Sequence, residues 1–316
     1  MTQVNAAFLF PGQGAQKVGM GQDLFDNFPS AKAVFEEADA ALGAPLSKLI
    51  FEGPQDALTL TANTQPAILT VSIAALRAFQ EKVDLSPKFV AGHSLGEFSA
   101  LVASGSLALS DAVKITRARG TYMQEAVEPG KGAMAAVMGD ITTEKLNEVC
   151  KAASDDGTTV APANLNAPTQ VVISGHTAAV ERASNALEAL DLRVIPLQVS
   201  APFHSALMKP AADKLKQTLN HFDFGDMKMP VITNVEAAPN GEVSRVRELL
   251  VKQVTAPVRW VESMQFIADQ GITTCIEFGP GNVLAGLMRR IDKKITVVSV
   301  NSIGGVDKAV EALEKL

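Results

Sequence analysis

The sequence predicts an α/β fold in which a large domain with a parallel sheet core carries a smaller inserted unit. Three observations carry this prediction. Short apolar runs alternate with helical stretches along most of the chain. One such run ends in Gly92-His93-Ser94-Leu95-Gly96 and passes at once into a helical stretch. Between about residues 133 and 199 the order becomes β-α-β-β-α-β, that of a ferredoxin-like unit. The expected large domain is discontinuous, residues 1–127 and 204–316, and α/β-hydrolase-like. Residues 128–203 form the small domain, with the functional site in the cleft between them.

In order, residues 6–10 read as a buried first strand broken by Pro11-Gly12-Gln13-Gly14. A glycine loop directly after a core strand lies where α/β proteins bind ligands, although a plain strand-ending turn looks the same. No Gly-Lys-Ser/Thr follows, so it is not a P-loop. A helix over 31–42 takes Ser30 as cap and Gly43 as stop. Residues 54–62 read as polar and irregular. A helix from about 66 to 82 has apolar residues all round and should be buried. The strand ending at Gly92 and a helix over 97–103 follow, stopped by Gly105, and Ser110 is the expected cap of a helix over 111–127.

The inserted unit reads as strands over 133–138, 158–163, 170–174 and 192–199, with helices over 142–153 and 178–190. Asn164-Leu165-Asn166-Ala167-Pro168 is taken as a loop. The chain returns through Ser200-Ala201-Pro202-Phe203-His204-Ser205 to a helix from 206, with Pro210 tolerated in its first turns. A short strand over 231–234, helices over 244–254 and 259–270, and a strand over 274–278 stopped by Gly279-Pro280-Gly281 come next. A helix to 291, a strand over 295–300 and a helix from 305 complete the alternation.

Hydrophobic residues make up 47% of the 316 and charged residues 20%, which fits a compact soluble protein. A net charge of −6 favours neither nucleic acid nor an anionic membrane. Cys150 and Cys275 give neither a disulfide framework nor a metal-ligand spacing, so no metal is expected. The apolar start lacks the basic segment of a signal peptide, and the most apolar helical stretch, 67–78, is too short to span a bilayer. These features lead us to expect a cytoplasmic protein.

The Gly-x-Ser-x-Gly run is the pattern of a nucleophile elbow, with Ser94 exposed on a tight strand-to-helix turn. The free N–H groups of the following helix are suited to an oxyanion. A glycine-rich turn with a serine cap has the same residues. Arg119 shares helical spacing with Ala112, Ile115, Tyr122, Met123 and Ala126, so it projects from an apolar stripe, whereas Arg117 falls on a polar face. An arginine on that stripe either snorkels out to water or needs an anion: an internal Asp or Glu, or a substrate carboxylate held bidentately.

A serine nucleophile needs a base. Of the four histidines, His93 should point away from Ser94, His176 resembles a helix cap, and His221 lies at a polar helix end. His204 lies at the junction returning from the small domain and is the candidate.

Phe10-Pro11-Gly12-Gln13-Gly14, Gly92-His93-Ser94-Leu95-Gly96, Arg119, Pro202-Phe203-His204 and Glu277-Phe278-Gly279-Pro280-Gly281 occur in this order. Together they resemble the malonyl-CoA:acyl-carrier-protein transacylases of bacterial fatty-acid synthesis, and the acyltransferase domains of polyketide and animal fatty-acid synthases. The resemblance covers nearly the whole chain. It implies ping-pong transfer of malonyl from malonyl-CoA to the phosphopantetheine thiol of acyl carrier protein, with no cofactor, and a monomer is expected.

By the same resemblance, Ser94 carries the malonyl ester and His204 is the base. The backbone N–H groups of Gln13 and Leu95 form the oxyanion hole, Arg119 binds the free carboxylate, and Gln253 supplies a carbonyl that orients the histidine. Asn164 matches a small-domain asparagine of the family, although it reads equally well as a turn residue. Leu95 and Phe203 match malonyl-type rather than methylmalonyl-type enzymes.

The rivals are a serine hydrolase (thioesterase or carboxylesterase), a non-catalytic carrier-docking subunit, and a transacylase for another acyl group or pathway. Hydrolases of this elbow type place their histidine late in the chain.

Overall fold

The computed structural model describes residues 2–199 and 201–315; Ser200, which the sequence puts at the return from the inserted unit, lies outside the described residues. In chain order the strands are β1 (Thr2–Phe10), β2 (Leu85–Gly92), β3 (Gly132–Met138), β4 (Val160–Ala167), β5 (Gln170–His176), β6 (Arg193–Pro196), β7 (Val231–Ile232), β8 (Pro239–Asn240), β9 (Thr274–Phe278) and β10 (Thr296–Val300). One sheet has the order β10-β9-β1-β2-β7-β8 and is parallel except for the β7–β8 pair. The other, β4-β5-β3-β6, is antiparallel throughout. Its strands come from one βαββαβ stretch with its first and third strands central, the ferredoxin-like arrangement.

Residues 6–10 are buried at every position, as a strand covered on both faces requires. Ala6, Phe8 and Phe10 point into a core with Phe79 and Phe278, while Ala7 and Leu9 point into one around Trp260 and Met264. Phe8 packs edge-on against Phe79 and Phe278, with centroids 5.8 and 4.8 Å apart.

β1 and β2 lie side by side with Phe10 opposite Gly92, and β7 flanks β2 on its other side. The loops carrying Gln13, Ser94 and Asn234 therefore emerge together at the carboxyl edge of the sheet. The smaller sheet is joined to this region by a parallel bridge. Leu165 N–H donates to the Val258 carbonyl and Val258 N–H to the Ala163 carbonyl, each at 2.9 Å.

Several local expectations are corrected. The buried helix is Thr61–Gln80, so Pro66 lies in its interior and removes one i→i−4 bond, and Gln65 becomes a buried helical residue. The stretch before it contains a short helix, Gln55–Thr59. Ser30 and Ser110 are not caps. Pro29 and Leu109 open the helices Pro29–Leu42 and Leu109–Glu125, and the Ser30 and Ser110 N–H groups donate to the Glu81 and Glu37 carboxylates. Residues 164–167, expected as a loop, are the buried end of β4; pairing with β5 overrides the turn preference of two asparagines. The last strand of the small unit is confined to Arg193–Pro196, and β7 ends at Ile232, which leaves Asn234 in the following loop.

The Glu277-to-Gly281 motif has a local explanation. The Glu277 carboxylate accepts the N–H groups of Leu284 and Ala285 at 2.9 and 3.1 Å and so caps the helix Val283–Ile291. Among the described residues no helix is long and apolar enough to cross a membrane.

Candidate active site

β2 stops at Gly92 and the helix Gly96–Ser104 begins within four residues. Close approach demands both glycines. A Cβ on Gly92 would lie 1.9 Å from the Gly96 carbonyl group, and one on Gly96 would lie 2.1 Å from the Phe10 carbonyl oxygen. The left-handed conformation of the turn falls instead on Ser94, at φ 50°. Such a position costs a non-glycine residue about 1–3 kcal/mol unless its surroundings hold it. Here Ser94 N–H donates to Asn234 Oδ1 at 2.6 Å, Asn234 Nδ2 to the Gly92 carbonyl at 2.6 Å, and Gln253 Nε2 to the Ser94 carbonyl at 3.0 Å.

Ser94 Oγ lies 2.8 Å from His204 Nε2. His204 Nδ1 faces the carbonyls of Gln253 and Ala256 at 2.9 and 3.1 Å. Carbonyl oxygens only accept, so Nδ1 carries the proton and Nε2 offers its lone pair to the hydroxyl. Burial above all, and then the Arg119 charge, hold the His204 pKa down to about 3. The imidazole is therefore neutral, the form a base needs. Inactivation of Ser94 by a neutral sulfonyl fluoride is expected to keep a constant rate from about pH 8 to about pH 5. A halving of the rate near the ordinary value of 6.5 would contradict this state of His204.

Arg119, on the helix Leu109–Glu125, is 1% exposed. Its Nη1 donates to Gln65 Oε1 at 2.7 Å, and its Nη2 to Gln253 Oε1 at 2.9 Å and Ser94 Oγ at 3.1 Å. The guanidinium also lies 5.5 Å from the Phe98 ring centre. Its acceptors among the described residues are amide and hydroxyl oxygens, and its Nε has no partner there. Burial lowers its pKa to about 10, with Glu97 acting against the shift, so it remains cationic near neutral pH.

Ser94, His204, Arg119, Gln13, Leu95, Asn164 and Phe203 line one cavity of about 130 Å³, walled on its apolar side by Met123, Met134, Leu197 and Val199. The Gln13 and Leu95 backbone N–H groups have no acceptor among the described residues. Gln253 stands behind this wall, touching Ser94, Arg119 and His204. Of the other histidines, His93 turns away to Asn166 Oδ1 at 2.7 Å beside the Trp260 ring. His176 occupies a cap position, but its ring accepts the Thr159 N–H. His221 is exposed.

Sequence reasoning missed Gln65, Glu97 and Asn234. Glu97 is 3% exposed, and its Oε2 accepts from Asn234 N–H at 3.0 Å and Gln253 Nε2 at 2.7 Å. The signal was present: an ionisable residue on a helix with scarcely any polar face. The assembly as a whole offers an activated hydroxyl, two free N–H donors beside it and a buried cation within reach, a set suited to exchanging acyl groups through a covalent ester.

The family described as acyl transferase domain matches residues 7–315. Over 310 residues the chain is 48% identical to the malonyl CoA-acyl carrier protein transacylase of Bacillus subtilis (strain 168), covering 98% of this chain and 97% of that protein. It is 44% identical over 312 residues to the protein of that name from Escherichia coli (strain K12), covering 98% and 100%. Among solved structures, the malonyl CoA-acyl carrier protein transacylase from Coxiella burnetii is similar at a TM-score of 0.95 and 40% identity, covering 99% and 98% of the two chains. A malonyl-transacylase in complex with its type II PKS acyl-carrier protein is similar at a TM-score of 0.93 and 42% identity, covering both chains fully at 100%.

Proposed function

The chain belongs to the acyl transferase domain family, and from that premise we propose how its residues move a malonyl group from malonyl-CoA to an acyl carrier protein. Ser94 Oγ attacks the thioester carbonyl while His204 Nε2 takes its proton. The C–S bond breaks, the proton passes to the CoA sulfur, and a malonyl-serine ester remains. The phosphopantetheine thiol of the carrier then gives its proton to His204 and attacks the ester, and Ser94 Oγ recovers the proton as it leaves. The Gln13 and Leu95 N–H groups stabilise the oxyanion in both halves. The chain's own nucleophile and base serve both steps, so the scheme needs no resident cofactor.

One observation carries the choice of acyl group. Arg119 is a buried cation 3.1 Å from the nucleophile with a donor unpartnered among the described residues. A simple acyl tail would leave that donor unpartnered, at a cost of about 1–3 kcal/mol, whereas the free carboxylate of malonyl matches it. That carboxylate also offsets the charge that is the second cause depressing His204, so the base strengthens when the right substrate is bound. Phe203 at the cavity wall crowds an α-methyl group, a discrimination of about 1–3 kcal/mol. Asn164, on the same wall, is assigned to substrate contact.

The serine-hydrolase alternative is not favoured. His204 is oriented by carbonyls, and a neutral ester gives Arg119 nothing to bind. The test is intact-protein mass after brief mixing with malonyl-CoA. A single malonyl adduct is expected, long-lived in buffer and discharged by holo carrier protein. An adduct lost to water as fast as to the carrier would establish a hydrolase instead.

A further inference from the structure

Glu97 takes no part in the transfer steps, yet it is buried three residues past the nucleophile and fixes the geometry behind it. An ionised carboxylate can only accept, so its 2.7 Å contact with Gln253 must be with the amide nitrogen. That leaves the amide oxygen to face Arg119 Nη2 at 2.9 Å. Glu97, Gln253 and Arg119 thus form one hydrogen-bonded chain with a negative end and a positive end.

We propose that Glu97 is the resident counter-charge of Arg119, relayed through Gln253, and that it takes up a proton when a malonyl carboxylate seats on Arg119. The inference rests on the reading of Arg119 given above. In the free protein the buried charges balance. A second anion would leave the interior with two negative charges against one positive, an arrangement that low-dielectric surroundings relieve by protonating one carboxylate.

Glu97 is placed for that exchange. Burial lifts it to about 7, against the opposing bonds from Asn234 and Gln253 and the Arg119 charge. Of the neighbouring elements, the helix Leu109–Glu125 presents Arg119 as its buried charge. The buried faces of β1, β2 and the helix Thr61–Gln80 carry no ionisable side chain. Val231, Thr233, Val246 and Leu250 close the opposite side. Of the titratable groups beside the nucleophile, His204 is held down to about 3 and remains neutral, and burial shifts His93 downward.

Acyl transfer itself is proton-neutral, since the serine loses an O–H as the thiol gains an S–H. Net uptake therefore reports another group. The experiment mixes weakly buffered protein with malonyl-CoA or acetyl-CoA beside a pH indicator and counts adducts by intact mass. Comparison of the two acyl donors cancels ionisation of the released CoA thiol. Near about pH 8 the wild type should take up most of one proton per malonyl adduct beyond the acetyl reference, and close to none near about pH 6. Glu97→Gln, which keeps the shape and removes the titration, should show no such difference. Its KM for malonyl-CoA should also lose the several-fold rise with pH expected of the wild type.

Equal proton counts for malonyl and acetyl in the wild type overturn the proposal even where the variant does not fold. The premise fails separately: if Arg119→Ala leaves malonyl-over-acetyl selectivity intact, Arg119 is not the carboxylate site. If that selectivity is lost but the proton counts stay equal, only the role of Glu97 falls.

Discussion

Ser94→Ala is expected to give no malonyl adduct and to lower transfer to the carrier by on the order of 10⁴-fold or more. The substitution removes the atom that forms the ester and little else. The strained turn at φ 50° is held by bonds to the backbone N–H and carbonyl of residue 94, through Asn234 and Gln253, and alanine keeps both. The groups that lose a partner, His204 Nε2 and Arg119 Nη2, border a cavity in which water can replace it. Both proton transfers by His204 depend on ester chemistry at Ser94, so adding His204→Ala to Ser94→Ala should cost almost nothing more. Quenched-flow transfer of labelled malonyl from CoA to holo carrier reads both effects. A surviving adduct in Ser94→Ala, or losses that multiply in the double variant, would remove these two residues from a common step.

Arg119→Ala should lower kcat/KM for malonyl-CoA by about 30-fold to several thousand-fold, the range for truncating one partner of a buried charge pair. Use of acetyl-CoA should rise relative to malonyl-CoA in the same preparation. The ratio of the two is the informative quantity, because the substitution also deprives Gln65 and Gln253 of a donor, and that damage is common to both substrates. Arg119→Lys should recover only part of the loss, since a point charge on a flexible stem cannot replace the planar fork that spans Gln65 and Gln253. An unchanged malonyl-to-acetyl ratio in paired steady-state assays would move the carboxylate site elsewhere.

The framework of the protein was readable where burial imposes a pattern. The all-apolar 6–10 run, the glycine pair around Ser94 and the βαββαβ order each express packing that tolerates few alternatives. Arg119 stood out because a charge on an apolar stripe is costly wherever it points. Glu97 is as deeply placed, but an acid in the first turn of a helix is readily explained by the helix dipole. Gln65 was hidden by Pro66, which imitates the first residue of a helix and in fact lies inside one. Asn164 and Asn166 have the composition of a turn, and only the pairing of β4 with β5 and with Val258 makes them strand. What was unreadable in general is which partners meet across the sheet edge. Asn234 and Gln253 reach Ser94 from chain positions 140 and 159 residues away, a relation set by topology.

The paired bonds between Leu165 and Val258 and between Val258 and Ala163 join the two sheets beside the site. A cleft tied in this way is a slot with one fixed edge. That edge parts only when both bonds break together, an excursion whose free energy belongs with sub-global unfolding and not with breathing of a loop. The Leu165 and Val258 amides would then exchange with deuterium on that slow clock even while acyl groups turn over quickly. Traffic through such a slot favours a slender, flexible arm that threads in from outside, while the folded body bearing the arm stays at the rim.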